Sequence, residues 1–311
     1  PGAAVLSVIL MALALLAYAA QRWITAGRDY ETQTGKPVAR GARPIGRWQT
    51  PALLLFAAIA ALSTLAPLFA IGATAFTGTL SGGLAWDNLS LRHFEALFAQ
   101  GSAALSALAT SFALAAGAAL LTGVFGALLA YTVLRTPSRA AGALDALTIL
   151  PNAMPGIVVA VGLILAWNQP WLPFTPYDTW VILLLAYACL LLPYPVRYAH
   201  AALRQIGRNL EASAFVHGAG FWTTLRRVVL PLLGPSVGAA MLLVFAIASR
   251  ELVASLLLTP TGMQTVSLFI WRQFDQGSVG QGMAMSLITI AITCTLLVLA
   301  SGLRRWSVRA R

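Results

Sequence analysis

The chain has 311 residues, of which 59% are hydrophobic and only 9% are charged, and its net charge is +11. Soluble domains carry about a quarter charged residues, and several apolar runs exceed the roughly 18 residues that can cross a bilayer. A soluble globular protein is therefore excluded, and the pattern predicts an all-α, polytopic helical membrane protein. The positive charge does not indicate a nucleic-acid partner, because the basic residues gather between the apolar runs, where they set orientation in the lipid bilayer.

Apolar runs of spanning length recur from one end of the chain to the other. The two cysteines fall inside such runs, so no disulfide framework is expected. The first run begins at Pro1 and lacks a basic region before it, which argues against a signal peptide. Seven membrane spans are predicted, at residues 3–21, 51–74, 104–134, 144–167, 179–196, 232–258 and 281–303.

The basic residues alternate between the two sides of these spans. The intervening loops hold only Arg92 and Arg272. By the positive-inside rule the basic segments are cytoplasmic, which puts the C-terminus inside and the N-terminus of this chain outside. Seventeen of the 20 basic residues lie in four segments, residues 22–50, 135–142, 197–231 and 304–311.

Proline and small residues shape the expected bundle. Pro151 and Pro155 are predicted to break or kink the start of the fourth span. Ala115, Ala119 and Gly123 recur at four-residue spacing, which lets helices approach closely. The tryptophan-rich loop at residues 167–180 is typical of an aromatic belt at the outer interface, and the lining of a substrate vestibule is the alternative.

Catalytic and cofactor motifs are missing from the chain. The single lysine, Lys36, follows a glycine but lacks the upstream glycine of a phosphate-binding loop, and Pro37 replaces its Ser or Thr. The three histidines are far apart and do not have the spacing of a zinc site. We therefore expect no catalytic site, no metal, no cofactor and no ATPase site of its own, so the chain does not read as an enzyme.

One polar segment, LEASAFVHGAGFWTTLRRVVLPLLGP at residues 210–235, interrupts the apolar runs. The glycines at 218 and 220 predict a sharp turn, and a second short helix is expected to end at Pro231. Glu211 is close enough to Arg208 for a weak surface pair. Either a partner protein binds this element or the element lies on anionic lipid headgroups. If residues 197–217 form one helix, a single stripe contains Arg197, Ala201, Arg204, Arg208, Glu211 and Phe215.

Two charged residues, Arg250 and Glu251, fall inside the predicted span 232–258. A charge at membrane depth costs about 2.5–3.5 kcal/mol on insertion scales, so it usually faces a bundle interior or a water-filled path. We expect these residues to line a translocation path or a gate. A structural charge satisfied by another span is the alternative.

The segment EASAFVHGAGFWTTLRRVVLPLL resembles the cytoplasmic motif of the membrane-spanning permease subunit of binding-protein-dependent ABC importers. That motif has Glu-Ala-Ala, a glycine three residues later, and then Leu-Pro. Gly218 takes the glycine place, and Leu230 with Pro231 takes the Leu-Pro place. In this register the glutamate place falls on Ala212, so Glu211 stands one residue too early.

The wider sequence resembles the iron(III)-type subgroup, whose members often fuse two six-span halves. The resemblance implies a six-span permease core plus one extra N-terminal span. It divides the chain into the last span of a preceding half, a basic cytoplasmic linker, a six-span permease domain with a coupling loop at 197–231, and a basic cytoplasmic tail. These regions are residues 1–21, 22–50, 51–303 and 304–311.

The resemblance also implies how the chain works and with whom. The coupling loop would dock on ABC ATPase subunits in the cytoplasm, a periplasmic or extracellular substrate-binding protein would deliver the solute, and a second permease half or subunit would complete the path in the plasma membrane (bacterial inner membrane). Arg250 and Glu251 would lie nearer that path. The implied transmission site contains Arg204, Arg208, Glu211, Gly218 and Gly220.

Ferric iron is the leading substrate by this resemblance, and thiamine, phosphonate, polyamines or another small solute are the alternatives. An ion-coupled secondary transporter is the rival mechanism. It would need buried acids in broken helices, and within the predicted spans only Asp145 and Glu251 qualify. A membrane-embedded enzyme would need the catalytic constellation that the chain lacks.

Overall fold

The computed structural model describes residues 46–136 and 139–309, together with helical positions 9, 12, 13, 16 and 20. It describes the side chains of these residues except at 139, 152, 153, 208 and 303–309. The predicted first span, apart from those five positions, and the linker before residue 46 lie outside the described residues.

Residues 46–136 and 139–309 form helices and no β-strand, which confirms the all-α prediction. Two short 3₁₀ turns at residues 80–82 and 86–88 add to the helices. The helices are α1 (Gly46–Phe76), α2 (Arg92–Phe98), α3 (Ala104–Arg135), α4 (Arg139–Ala153), α5 (Gly156–Trp167), α6 (Trp180–Leu191), α7 (Pro193–Gln205), α8 (Arg208–Val216), α9 (Phe221–Ala248), α10 (Val253–Leu258), α11 (Val266–Asp275) and α12 (Val279–Arg309).

Four of these helices, α1, α3, α9 and α12, are long and apolar enough to cross a membrane. They contain the predicted spans 51–74, 104–134 and most of 281–303, which are confirmed as helices. The pairs α4–α5 and α6–α7 bring the number to six if each bent pair is one span.

The bent pairs correspond to the spans predicted at 144–167, where a break was expected, and at 179–196, where none was. Between α4 and α5 the chain turns by 111°, because Pro155 excludes the helical conformation at the residue before it. The predicted break is therefore confirmed at Pro155, whereas Pro151 lies inside α4. The second pair bends by 42° at Leu192, where Pro193 removes a backbone donor, and α7 then continues to Gln205.

The bundle is built around α3, which packs against α6, α7 and α9. Small side chains make this possible: Ala115 and Ala119 are buried, and a Cβ on Gly123 would lie 2.5 Å from Met241 Cγ. The predicted close packing along this face is confirmed. We call the end of the bundle that carries Arg135 and residues 197–231 the basic end, and the other end, with Trp167 and α11, the opposite end.

The tightest backbone approach joins α3 to α7. A Cβ on Gly126 would lie 2.9 Å from Pro195 Cβ and 3.2 Å from the backbone nitrogen of Val196. Backbone atoms of a packed helix cannot move aside as a flexible side chain can, so this position requires glycine.

We expect Gly126→Val to lower the free energy of unfolding by about 1–3 kcal/mol, the usual cost of overpacking. The thermal midpoint of the detergent-solubilised protein measures this loss. Gly162→Val is the matched control, because Gly162 lies in α5 and a Cβ added there would have nothing within 4 Å. Equal midpoints for the two variants would contradict the packing assignment.

Candidate functional site

The helix predicted at residues 197–217 is interrupted. The segment 197–231 is broken at residues 206–207 as well as at the predicted turn, residues 217–220. Helix α7 ends at Gln205, and Gly207 has extended backbone angles, φ −59° and ψ 141°. Glycine at this point weakens the helix, and the direction of the chain changes before α8 begins. The prediction of one charged stripe from Arg197 to Phe215 is therefore wrong.

The turn after α8 confirms the prediction for Gly218, whose φ is +81°. The N–H of Gly218 donates to the Phe215 carbonyl at 3.0 Å, and the N–H of Ala219 donates to the Ala214 carbonyl at 3.0 Å. This is a Schellman motif with glycine at its left-handed position. Gly220 has φ −73° and ψ 168°, which any residue can adopt, so the turn itself does not require glycine there.

The helix after the turn does not end at Pro231, as predicted, but runs from Phe221 to Ala248. A π-helical turn at residues 225–229 precedes the proline, and the N–H of Leu230 donates to the Leu225 carbonyl. Such a wide turn is one of the ways in which a helix accommodates a local disturbance. Leu230 and Pro231 thus lie inside a continuous helix that joins the polar segment to the bundle.

Glu211 points into the protein rather than toward solvent. Its Oε1 lies 2.7 Å from Arg135 Nε, and Tyr131 donates a hydrogen bond to its Oε2 at 3.0 Å. The Arg135 and Glu211 side chains are only 14% and 10% exposed. Glu211 therefore makes a buried ion pair with α3, whereas the predicted surface pair involves Arg208, whose side chain lies outside the described part of the chain.

Arg135 has a second contact, at the break after α7. Its Nη2 donates to the Ile206 carbonyl at 3.0 Å, and this group would otherwise lose its helical partner. A cation at the last residue of α3 also interacts favourably with the negative end of that helix. We call Tyr131, Arg135 and Glu211 the clamp, because together they fasten α8 and the end of α7 to α3.

Sequence reasoning missed Tyr131 and assigned Arg135 only to orientation. The one available signal was their four-residue spacing at the polar end of a long span, which puts both on one helix face. Their partner lies 80 residues after Tyr131, and no local pattern connects them.

The turn of the polar segment exposes large apolar side chains at the basic end. Val216 is 84% exposed and Trp222 is 76% exposed, and Phe215 and Phe221 are about half exposed. Phe221 also contacts the Tyr131 ring, at 6.1 Å between centroids. Exposed aromatic residues in a contiguous group are typical of protein interaction sites, and Arg204 adds an exposed cation on α7 nearby.

Arg250 and Glu251 do not lie within a continuous span, which corrects the prediction for residues 232–258. Helix α9 ends at Ala248 and α10 begins at Val253. Glu251 Oε1 accepts hydrogen bonds from the N–H groups of Val253 at 3.1 Å and Ala254 at 3.2 Å. Its carboxylate therefore caps α10, because it satisfies donors that a helix start leaves free. Arg250 is exposed in this chain.

The break between α4 and α5 lies in contact with the break between α9 and α10. A Cβ on Gly156, the first residue of α5, would lie 3.7 Å from Cγ1 of Val253, the first residue of α10. Helix α5 extends from Gly156 to Trp167, about 17 Å at 1.5 Å per residue, which is about half of a hydrocarbon layer about 30 Å thick. Non-helical backbone at that depth is tolerated where it is buried in protein or lines a water-filled cavity.

No described group of three or more His, Cys, Asp and Glu side chains comes together in a way that could hold a metal ion. His93 Nε2 is 3.0 Å from the Thr77 carbonyl, and His217 Nδ1 is 2.8 Å from the Ser213 carbonyl. His200 Nδ1 lies 3.8 Å from Asp145 Oδ1. The three histidines thus occupy separate places in the fold.

Comparison with known proteins identifies one family. Residues 120–311 match the family described as the binding-protein-dependent transport system inner membrane component. Over 301 residues the chain is 28% identical to the ferric transport system permease protein FbpB of Actinobacillus pleuropneumoniae. The matched region covers 95% of this chain and 43% of that protein. Over 157 residues the chain is 30% identical to PhnV of Salmonella choleraesuis (strain SC-B67), a permease protein named for 2-aminoethylphosphonate transport. The matched region covers 50% of this chain and 58% of PhnV.

The chain spans about half the length of these curated relatives. Its fold is similar to that of a chain in the crystal structure of a bacterial ABC transporter involved in the import of the acidic polysaccharide alginate. That similarity has a TM-score of 0.69 at 20% sequence identity and covers 83% of this chain and 95% of the other.

We expect Arg135→Gln to destabilise the protein by about 3–5 kcal/mol, because it leaves the buried Glu211 carboxylate without its cation. α8 should also detach, so that chymotrypsin cuts faster at Phe215. The thermal midpoint and the rate of limited proteolysis measure the two effects, and the exposed Arg226→Gln is the control. Adding Glu211→Gln should recover part of the loss; a double variant with the full sum of both losses would contradict the clamp.

Proposed function

We propose that this chain, which belongs to the family of binding-protein-dependent transport system inner membrane components, couples a separate ATPase to solute import through its 197–231 loop. It is a multi-span helical permease of the bacterial inner membrane. The observation that carries the coupling proposal is the clamp, which fastens an exposed helix–turn–helix to the longest described helix of the bundle.

The loop has the properties of a docking element. Its turn is fixed by the left-handed Gly218, and its tip presents Val216 and Trp222 to a partner. A groove of the ATPase would cover these apolar side chains, while Arg204 and Arg208 would supply charge at the rim of the contact. Gly220 begins the helix that leads through Leu230 and Pro231 into the membrane.

The clamp gives the ATPase a rigid connection to the spans. Closure of two ATPase subunits would displace α8, and the buried ion pair would pass the displacement to α3. That helix has 32 residues, about 48 Å at 1.5 Å per residue, and packs against α6, α7 and α9. Packed helices shift as units rather than deform, so a push at the basic end moves the middle of the bundle.

The paired helix breaks support a translocation path between α5 and α10. Arg250 is exposed beside the Glu251 cap at that depth, and an exposed charge there needs water, a solute or another subunit. A second permease half or subunit would face it and close the path. The distribution of basic residues supports a cytoplasmic basic end and a cytoplasmic C-terminus.

Ferric iron is the substrate we propose, because the similarity to the ferric permease protein extends over 95% of this chain. A phosphonate is the second candidate, on the similarity to PhnV over half of the chain. A permease that receives its solute from a binding protein needs no iron ligands of its own.

Reconstitution tests this function directly. The complete permease, its ATPase and its solute-binding protein are placed in proteoliposomes, and uptake of radiolabelled ferric iron is measured. We expect uptake that requires ATP and both partners and that is unchanged when ion gradients are collapsed. Uptake driven by an ion gradient without ATP would identify a secondary transporter instead, and competition by 2-aminoethylphosphonate would favour the second substrate.

We expect Gly218→Val to abolish uptake while the protein still inserts at normal abundance. A Cβ added at Gly218 would have no atom within 4 Å, so the effect would come from the positive φ, which a β-branched residue strongly disfavours. Uptake assays and immunoblots of membranes measure the two properties. Gly142→Val, in α4 with nothing within 4 Å, is the control, and normal uptake by the Gly218 variant would contradict the coupling role.

A further inference from the structure

A cavity of about 340 Å³ lies between α7 and α9 at the basic end. Its volume falls in the range of about 300–1,000 Å³ that is usual for small-molecule sites. We propose that it binds the phosphate group of an anionic phospholipid headgroup, which on the orientation proposed above belongs to the cytoplasmic leaflet. We call it the headgroup cavity, and it is lined by Arg197, Tyr198, Ala201, Ala202 and Gln205 of α7 and by Ser236 of α9.

The headgroup cavity forms on the face of α7 that is turned away from the core. Val196, Ala199 and Leu203 recur at three- and four-residue spacing and are buried in a cluster with residues of α3 and α9. Arg197 and Ala201 share the other face of the helix, since they are four residues apart, and both are exposed. The apolar face thus fixes the position of α7, while the face that carries a cation stays open to a ligand.

The polar groups that line the cavity are suited to a phosphate. Among the described residues, Arg197 is the only charged one in the lining, and a guanidinium can hold two phosphate oxygens through parallel hydrogen bonds. The hydroxyls of Tyr198 and Ser236 and the amide of Gln205 supply further donors. The described lining contains no aspartate or glutamate, so no carboxylate within it would repel an anion.

Arg197 lies at the level in the bilayer where a headgroup is expected. It is the first charged residue after the apolar run 179–196. Along α6 and α7, Arg197 is about 25 Å from Trp180 at 1.5 Å per residue, close to the hydrocarbon thickness of about 30 Å. Trp180 is exposed at the opposite end, where tryptophan is typical of a membrane interface. Arg197 and Tyr198 therefore fall near the other interface, where both residue types contact headgroups.

The shape of the cavity favours a lipid over a free anion. Arg197, Tyr198 and Gln205 are exposed, so the cavity is open at the surface of the bundle, whereas sites for free small molecules enclose most of the ligand. The Tyr198 ring and the two alanines place apolar surface beside the cation, which gives an amphipathic molecule both kinds of contact. Basic pockets between helices on the cytoplasmic side are typical headgroup sites.

The test follows lipid binding by native mass spectrometry of the complete transporter, as phosphatidylglycerol is added back after delipidation. We expect Arg197→Gln to weaken the tightest binding step about tenfold, as for loss of a hydrogen bond between charged groups. Ala201→Phe keeps every charge but fills the cavity, so it should weaken the same step. Arg226→Gln is the matched control, because Arg226 is exposed at the same end and does not line the cavity.

Two results would overturn the proposal. Equal weakening by Arg197→Gln and Arg226→Gln would mean that net charge alone attracts the lipid, and equal binding of phosphatidylcholine by the wild type would mean that no anion is recognised. Arg197 and Ala201 are both exposed, so their variants should keep the thermal midpoint of the wild type. Lipid binding is measured without ATP or solute, so its failure would leave the importer function untouched.

A second measurement identifies the occupant. Ala201→Cys is introduced into a Cys189→Ser, Cys294→Ser background, and the complete transporter in nanodiscs is modified with a maleimide. We expect slower modification in phosphatidylglycerol than in phosphatidylcholine, and Arg197→Gln should remove the difference. Protection by inorganic phosphate or 2-aminoethylphosphonate in phosphatidylcholine would assign the cavity to a free anion, and equal protection in both lipids would place this face against the second permease half. Either result overturns the lipid proposal.

Discussion

Hydrocarbon offers no hydrogen-bond partners, so a chain of membrane helices must satisfy its own backbone groups wherever a helix is interrupted. This protein does so with side chains placed at the interruptions. Glu251 accepts from the N–H groups that begin α10, and in the part-buried loop at the basic end Arg135 likewise donates to the Ile206 carbonyl where α7 ends. Without these contacts the helices could not bend where the proposed functions need them to bend.

The burial of Glu211 changes how the polar segment is understood. By register the glutamate stood one residue before the place that the resemblance implied. In the structure this carboxylate belongs to the clamp, 2.7 Å from Arg135. The glutamate fastens the loop to the bundle, and Val216 and Trp222 at the tip of the loop stay exposed.

Side-chain and backbone contacts fix the structure both at the basic end and near the middle of the bundle. At the basic end, the Schellman turn at Gly218 and the clamp make α8 and α3 a single mechanical unit. Near the middle, the breaks before α5 and α10 lie in contact. In the proposed coupling, a movement of α3 would reach these interrupted helices through α6, which packs against α3, α5 and α10.

Local features of the sequence determined the helical class, the spans around 51–74, 104–134 and 281–303, the break at Pro155 and the turn at Gly218, because hydrophobic length, proline and glycine act within a few residues. Tertiary structure decided the rest. The Arg135–Glu211 pair joins residues on different helices. The continuation of α9 past Pro231 depends on a π-helical turn. Helix α9 ends before Arg250 without a proline in the sequence at that point. These features depend on which helices pack together, and hydrophobic periodicity records that a face is apolar without recording which helix covers it.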